Sequence, residues 1–163
     1  MKKNIKKNRG FTLIEILVVI GIIAILAAVV LIAINPARQF AQANDSQRSA
    51  NLNAILNAVG QYVADNKGNF PPSIEGGLLV LTPAKSIGSE AGGIDLCKDL
   101  VPKYLPAFPT DPKSTHDGTA IEFLSTNCGT YTSGYTIAST TQNRIIVAAP
   151  STQATSTPIS ITR

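Results

Sequence analysis

The residue with the clearest chemical potential is Glu15, a carboxylate inside an otherwise apolar stretch. Residues 11–34 are interrupted only by Thr12, Glu15 and Gly21. A helix of this length would reach roughly 36 Å, enough to cross a hydrocarbon core of about 30 Å. A charged side chain within such a span costs roughly 2.5 to 3.5 kcal/mol, so Glu15 is a candidate for a functional role.

The chemistry open to Glu15 depends on where the mature chain begins. A cut between Gly10 and Phe11 would create an α-amino group that is largely protonated at neutral pH. This cation would lie four residues from the Glu15 carboxylate. The pair could form within one helix or between neighbouring helices of a bundle, where a paired charge is tolerated and an unpaired one is strongly penalised. The alternative is a carboxylate near the membrane interface that simply extends to water.

A Lys-rich leader, Gly10 and the run FTLIEILVVIGIIAILAA at residues 11–28 form a recognisable N-terminal pattern. This pattern resembles the start of type IV prepilins and type II secretion pseudopilins. The resemblance implies that a prepilin peptidase cuts after Gly10 and methylates the new amino group of Phe11. It also implies that Glu15 recruits and aligns subunits in a helical filament, and that a membrane platform protein and a cytoplasmic ATPase assist assembly.

Two other interpretations of the N-terminal segment stay open. Residues 41–43, Ala-Gln-Ala, match the small-residue site of a secretory signal peptide. Signal-peptide apolar cores run about 7 to 15 residues, however, and this one is longer. A plain single-pass anchor is the second alternative, and it would leave Gly10, Phe11 and Glu15 without a purpose.

The distribution of charge predicts the orientation of the chain in a membrane. Of 14 Lys and Arg residues, five lie in the first ten positions, which leaves nine basic against ten acidic residues from Phe11 onward. The positive-inside rule therefore predicts a cytoplasmic N terminus and a head on the opposite side. The remaining cations are scattered, and no phosphate-cradling glycine motif occurs in the sequence, so nucleic-acid binding is not indicated.

Two cysteines, Cys97 and Cys128, lie 31 positions apart in the part predicted to face an oxidising compartment. We therefore expect a disulfide, whose loop closure would be worth roughly 3 to 4 kcal/mol. It resembles the disulfide-bounded loop of many type IV pilins, although there the second cysteine usually lies nearer the chain end. Redox catalysis prefers Cys-x-x-Cys spacing, which this sequence lacks.

The acidic residues and the histidine in the part of the chain that follows the long helix give weaker signals for metal binding or catalysis. Residues 105–112 resemble a run near the calcium loop of major pseudopilins, which makes Asp111 and Asp117 weak calcium candidates. The residues that follow lack the expected aromatic and glycine pattern, so we expect solvated loop acids with no metal and no cofactor. His116 has no serine or cysteine motif beside it to support catalysis. We therefore predict that the chain is not an enzyme.

The element that must position Glu15 is a long helix. Asn35-Pro36 would normally break it. Apolar residues nevertheless recur at helical spacing from Leu52 to Val63, with Arg48 and several amides expected off that face. We predict a kinked helix over residues 12–65, ended by the stop signal at residues 65–68. Residues 61–71 also resemble the segment that follows the helix in major pseudopilins and many pilins.

The remaining residues predict a small head packed on the second half of this helix. Strands are expected over residues 119–124, 134–139 and 144–149, with a short helix over 94–101. The Ser/Thr-rich tail from residue 150 is expected to be exposed or disordered, although Ile159 and Ile161 alternate and could add an edge strand. The fold class is thus α+β, with a small antiparallel sheet on a long helix, which is the pilin fold.

The chain is accordingly divided into a cleaved leader (1–10), a transmembrane and assembly helix (11–34), an amphipathic half-helix (35–66), a globular head (67–149) and a tail (150–163). The predicted function is that of a structural subunit of a type IV pilus-like filament. It would be anchored in the cytoplasmic membrane before assembly into an extracellular pilus. A periplasmic pseudopilus of a type II secretion system is the first alternative, and a monomeric membrane-tethered binding domain is the second.

Overall fold

The structure is a computed structural model that describes residues 10–74, 83–114, 119–121, 128–140, 142, 144–154 and 157–163. The chain divides into two compact units, Met1–Gln39 and Phe40–Arg163. The predicted basic leader falls outside the described residues except for Gly10. His116 and Asp117 also lie outside them.

The N-terminal unit contains helix α1, Leu13–Ile34, which spans 22 residues. None of its residues is buried. Its length and apolar composition are sufficient to cross a membrane. The helix ends at Asn35, which adopts a left-handed conformation with φ of 45°, a backbone geometry that Asn tolerates better than most residues.

Helix α2, Pro36–Asp65, begins directly after Asn35. Proline suits the first position of a helix because its missing N–H would have no partner there. The predicted long helix is therefore present as two helices separated by one residue. Helix α2 ends where the stop signal was expected, with Gly68 at φ of 90° donating its N–H to the Val63 carbonyl at 2.9 Å.

The face of α2 predicted to be apolar is buried, including Leu52, Ile55, Leu56 and Val59. Tyr62 and Val63 are partly buried against the same core. The expectation for Arg48 was wrong, because its side chain has no exposed surface.

The sheet has four antiparallel strands in the order β1-β2-β3-β4. They are β1 Lys85–Gly88, β2 Thr132–Ser139, β3 Ile145–Ala149 and β4 Ile159–Thr162. Strands β2 and β3 confirm the two strands predicted at residues 134–139 and 144–149. Strand β4 confirms the edge strand at Ile159 and Ile161. Most of the tail residues that the structure describes are exposed, as expected. Strand β1 was not predicted.

Two predicted head elements differ from those observed. The helix expected over residues 94–101 is reduced to α3, Cys97–Leu100, because Ile94 instead forms a bridge with Ile87. Of the strand expected at residues 119–124, positions 122–124 lie outside the described residues, and Ile121 forms an isolated bridge with Phe108. The core of the head joins the buried side chains of α2 to the inner sheet face, which includes Tyr135, Ile137 and Val147.

Candidate functional site

Gly10 and Phe11 precede the first turn of α1 in non-helical backbone. Both residues are exposed, and a Cβ placed on Gly10 would meet no atom within 4 Å. A peptidase must reach the peptide backbone of its substrate, and helical hydrogen bonding does not obstruct this junction. Cleavage after Gly10 and methylation of Phe11 remain predictions.

Glu15 lies in the first turn of α1 and forms a capping box with Thr12. Its Oε2 accepts hydrogen bonds from the Thr12 backbone N–H at 2.8 Å and the Thr12 hydroxyl at 2.9 Å. The Glu15 N–H donates in return to Thr12 Oγ1 at 3.3 Å. Sequence reasoning missed this local role, although Thr-x-x-Glu before an apolar run is a known signature of a helix start.

The capping box leaves half of the Glu15 carboxylate available. Both of its hydrogen bonds end on Oε2, and within the described residues Oε1 has no hydrogen-bond partner. An ionised carboxylate has about four lone-pair sites. It can therefore keep its bonds to Thr12 and still bind an ammonium group. The pairing of Glu15 with the Phe11 amine stays a prediction, because Phe11 is joined to Gly10 in this chain.

The predicted disulfide is present, since Cys97 and Cys128 are bonded with their Cα atoms 6.1 Å apart. Both residues are buried. The Tyr131 hydroxyl accepts a hydrogen bond from the Cys97 N–H at 3.1 Å and donates to Asp95 Oδ1 at 3.0 Å. Burial raises the pKa of the Tyr131 phenol well above its ordinary value. The disulfide thus ties α3 to the segment leading into β2.

The main polar feature inside the head is Arg48, whose guanidinium is held by two carboxylates. Arg48 Nε and Nη2 donate to the two oxygens of Asp111 at 2.6 and 2.9 Å, and Nη1 donates to Asp45 Oδ1 at 2.6 Å. Hydrogen bonds to Asp111 raise the pKa of Arg48, against the opposing effect of burial. Buried charges require this kind of pairing.

This arrangement corrects the expectation that Asp111 is a solvated loop acid. Only 2% of its surface is exposed. Both of its oxygens bind Arg48, and Oδ1 also accepts the Lys113 N–H at 2.8 Å. Across the described parts of the chain, no group of three or more His, Cys, Asp or Glu side chains could hold a metal ion. A calcium role for Asp111 and Asp117 remains untested, because Asp117 lies outside those parts.

Asp45 also fixes the tail to helix α2. Its carboxylate accepts backbone N–H groups from Gln153 at 3.2 Å and Ala154 at 2.8 Å. Burial acts to raise the pKa of Asp45, but the hydrogen bonds from Ala154 and Arg48 outweigh it, and the pKa lies below its ordinary value. The tail segment between β3 and β4 is therefore anchored to the same network as Arg48.

Gly134 in β2 allows the loop that carries Asp111 to approach the sheet. Its φ is +82°, and a Cβ at this position would lie 2.7 Å from the Asp111 Cβ. Next to it, Tyr135 donates its hydroxyl to the Thr110 carbonyl at 3.2 Å. Burial raises the pKa of Tyr135 to about 12. A side chain at position 134 would displace the carboxylate that neutralises Arg48.

Comparisons with known proteins agree with the N-terminal pattern. Residues 5–31 match the model of the prokaryotic N-terminal methylation motif. The chain is 46% identical over 61 residues to the type IV wide pilus major component PilA4 of Thermus thermophilus, an overlap of 37% of this chain and 45% of that protein. The chain thus spans less than half the length of this relative. No solved structure matches the chain significantly. The chain therefore contains a prokaryotic N-terminal methylation motif and is similar, over 61 residues, to a type IV pilus component.

Proposed function

We propose that the chain is a structural subunit of a type IV pilus-like filament. The observation that carries this proposal is helix α1, an apolar helix of 22 residues with no buried residue. Such a surface is unstable in water and requires lipid or other apolar helices around it. A filament subunit meets both needs in turn, first in the membrane and then in a helical bundle. This role is structural and involves no enzymatic activity.

In the first stage the precursor is anchored in the cytoplasmic membrane. At about 1.5 Å per residue, α1 is about 33 Å long and can cross a hydrocarbon core of about 30 Å. The Lys-rich leader stays on the cytoplasmic side. A prepilin peptidase then cuts after Gly10 and methylates Phe11, which leaves a cation four residues before Glu15.

In the second stage the helix leaves the lipid for a bundle of identical helices. Transfer from lipid to a helix bundle gains little hydrophobic free energy, so close packing and polar contacts decide the outcome. Small residues at positions 21, 24, 27, 28 and 33 permit close packing. The Glu15 carboxylate of one subunit pairs with the Phe11 amine of its neighbour, aided by a membrane platform protein and a cytoplasmic ATPase.

A periplasmic pseudopilus of a type II secretion system is the second candidate, favoured by the resemblance of residues 61–71 to major pseudopilins. The disulfide between Cys97 and Cys128 favours a surface pilus. Electron microscopy of sheared cells distinguishes the two, because a surface pilus is recovered in the sheared fraction and a pseudopilus at ordinary expression stays in the periplasm. A membrane-tethered monomer would yield no polymer in either place.

The assembly role of Glu15 is tested by separating its charge from its capping function. Glu15→Gln removes the charge and keeps a capping-box residue, whereas Thr12→Ala removes the capping partner and keeps the charge. We expect Glu15→Gln to remain stable in the membrane and to be absent from filaments. Thr12→Ala should still assemble. Quantitative immunoblotting of sheared and membrane fractions measures both, and normal filaments from Glu15→Gln would contradict the pairing.

A further inference from the structure

The head carries an apolar groove of about 200 Å³ beside helix α2. It is lined by Leu56, Val59, Gly60 and Val63 from α2 together with Phe70 and Ile145. Gly60 leaves open space there, since a Cβ at this position would meet no atom within 4 Å. Arg163 also borders the groove, and its guanidinium donates to Asn57 Oδ1. Arg163 is the only charged residue among the lining residues named here, so an apolar side chain could enter the groove with little desolvation of charge.

The same unit exposes one large apolar side chain that has no place in its core. Among the described residues from position 40 onward, Phe40 alone is an exposed large hydrophobic residue, with 71% of its surface accessible. A single exposed apolar residue is common in soluble proteins. Here, however, the exposed ring belongs to the same helix that supplies four of the residues lining the apolar groove.

The spacing along α2 excludes an intramolecular contact between Phe40 and the groove. Phe40 precedes the α2 residues of the groove by 16 to 23 positions. At about 1.5 Å per residue, this places Phe40 about 24 to 35 Å from them along the helix. Only a second copy of the chain can therefore bring a Phe40 ring to this groove.

We propose that Phe40 of one copy packs into the groove of a second copy, displaced by about 24 to 35 Å along α2. The proposal rests on the proposed function, because it defines a contact between subunits of the same filament. A contact between different surfaces of two identical molecules is heterologous, and it generates a helical polymer when its rotation does not close a ring. An aromatic anchor in an apolar pocket is also the usual centre of a strong interface.

A cysteine cross-link tests this register in assembled filaments of the full chain. Phe40→Cys combined with Gly60→Cys places thiols at the ring position and in the groove, where Gly60 leaves space. Bismaleimidoethane should then give a ladder of multimers on a denaturing gel. The matched control combines Phe40→Cys with Asn53→Cys, which lies on nearly the same side of α2 about 10 Å away. The native disulfide is buried and present in both variants.

The outcomes separate this contact from the proposed function. A ladder from the 40/60 pair that is absent from the 40/53 pair supports the contact. Filaments of the 40/60 variant that give no ladder, or an equal ladder from the control, refute it. If the unchanged chain forms no polymer, the proposed function fails and this contact fails with it.

Changing the size of the side chain at position 40 or at position 60 provides a second test. Phe40→Ala should lower the yield of sheared filaments about tenfold, because it removes the central anchor, and Phe40→Leu should lower it less. Gly60→Leu should fill the groove and produce a similar loss. The disulfide and the membrane-bound level serve as folding controls for each variant. Wild-type yields from both Phe40→Ala and Gly60→Leu would overturn the proposal.

Discussion

Each unit of the chain places a charged residue in apolar surroundings, and the two charges are satisfied in different ways. Glu15 in α1 bonds to Thr12, three positions earlier, and keeps Oε1 free within the described residues. Arg48 in α2 bonds to Asp45 nearby and to Asp111, 63 positions away. The Arg48 cluster is buried and fixes the fold of the head. Glu15 is exposed and still available to a partner from another molecule.

This comparison separates charges that stabilise one subunit from charges that join subunits. Changes in the Arg48 cluster should alter the free energy of unfolding of the head. Changes at Glu15 should leave that free energy unchanged and alter assembly.

The largest effect is expected from removing Asp111 alone. Asp111→Ala leaves the buried Arg48 guanidinium with one carboxylate partner, and breaking a buried ion pair costs about 3 to 5 kcal/mol. Urea unfolding of the full chain in detergent, followed by tyrosine circular dichroism, measures this loss. Glu15→Gln is the matched control and should leave the same transition unmoved. A loss below about 1 kcal/mol for Asp111→Ala would contradict the closed Arg48 cluster.

A smaller loss is expected where the sheet approaches this cluster. Gly134→Ala introduces a Cβ at φ of +82° and 2.7 Å from the Asp111 Cβ, so we expect a loss of about 2 kcal/mol from strain and displacement. Gly68→Ala provides the control, because its φ is +90° but no atom lies within 4 Å. It should cost about 1 kcal/mol. If Gly134→Ala and Gly68→Ala lowered the free energy of unfolding equally, the close approach of Gly134 to Asp111 would have no effect on stability.

The smallest effect concerns Asp45 and the tail, and it depends on pH. Because the pKa of Asp45 is lowered in the folded chain, its contribution is present above about pH 4 and is lost as the pH falls through the lower, folded value. Asp45→Asn should cost about 1 kcal/mol at pH 7. It should also flatten the decline in stability on acidification. An acid titration as steep as that of the unchanged chain would contradict this role.

The difference between the two units also explains what the sequence could predict. Features of α1 depend on neighbours within four positions, so the apolar helix and its break at Asn35-Pro36 were predictable. The Thr12–Glu15 capping box was recognisable too, but it was overlooked. Strands β2 and β3 were found because their alternation is also local.

The head depends on contacts between residues far apart in the sequence. Nothing in the local pattern pairs Arg48 with Asp111 or requires Gly134 to be small beside it. The anchoring of the tail was not predictable from local pattern, because the Asp45 carboxylate that fixes Gln153 and Ala154 lies more than 100 positions earlier. Strand β1, Lys85–Gly88, contains a single large apolar residue, Ile87, so it shows no alternation in the sequence.

The central claim, that this chain is cut after Gly10 and polymerises through α1, is tested most directly at the N terminus of the assembled subunit. Filaments sheared from cells that express the chain should be purified and their subunit analysed by N-terminal peptide mass spectrometry. We predict a subunit that begins at Phe11 with a methylated amino group. A polymer whose subunit begins at Met1, or a secreted chain that begins at Asn44, would contradict the account.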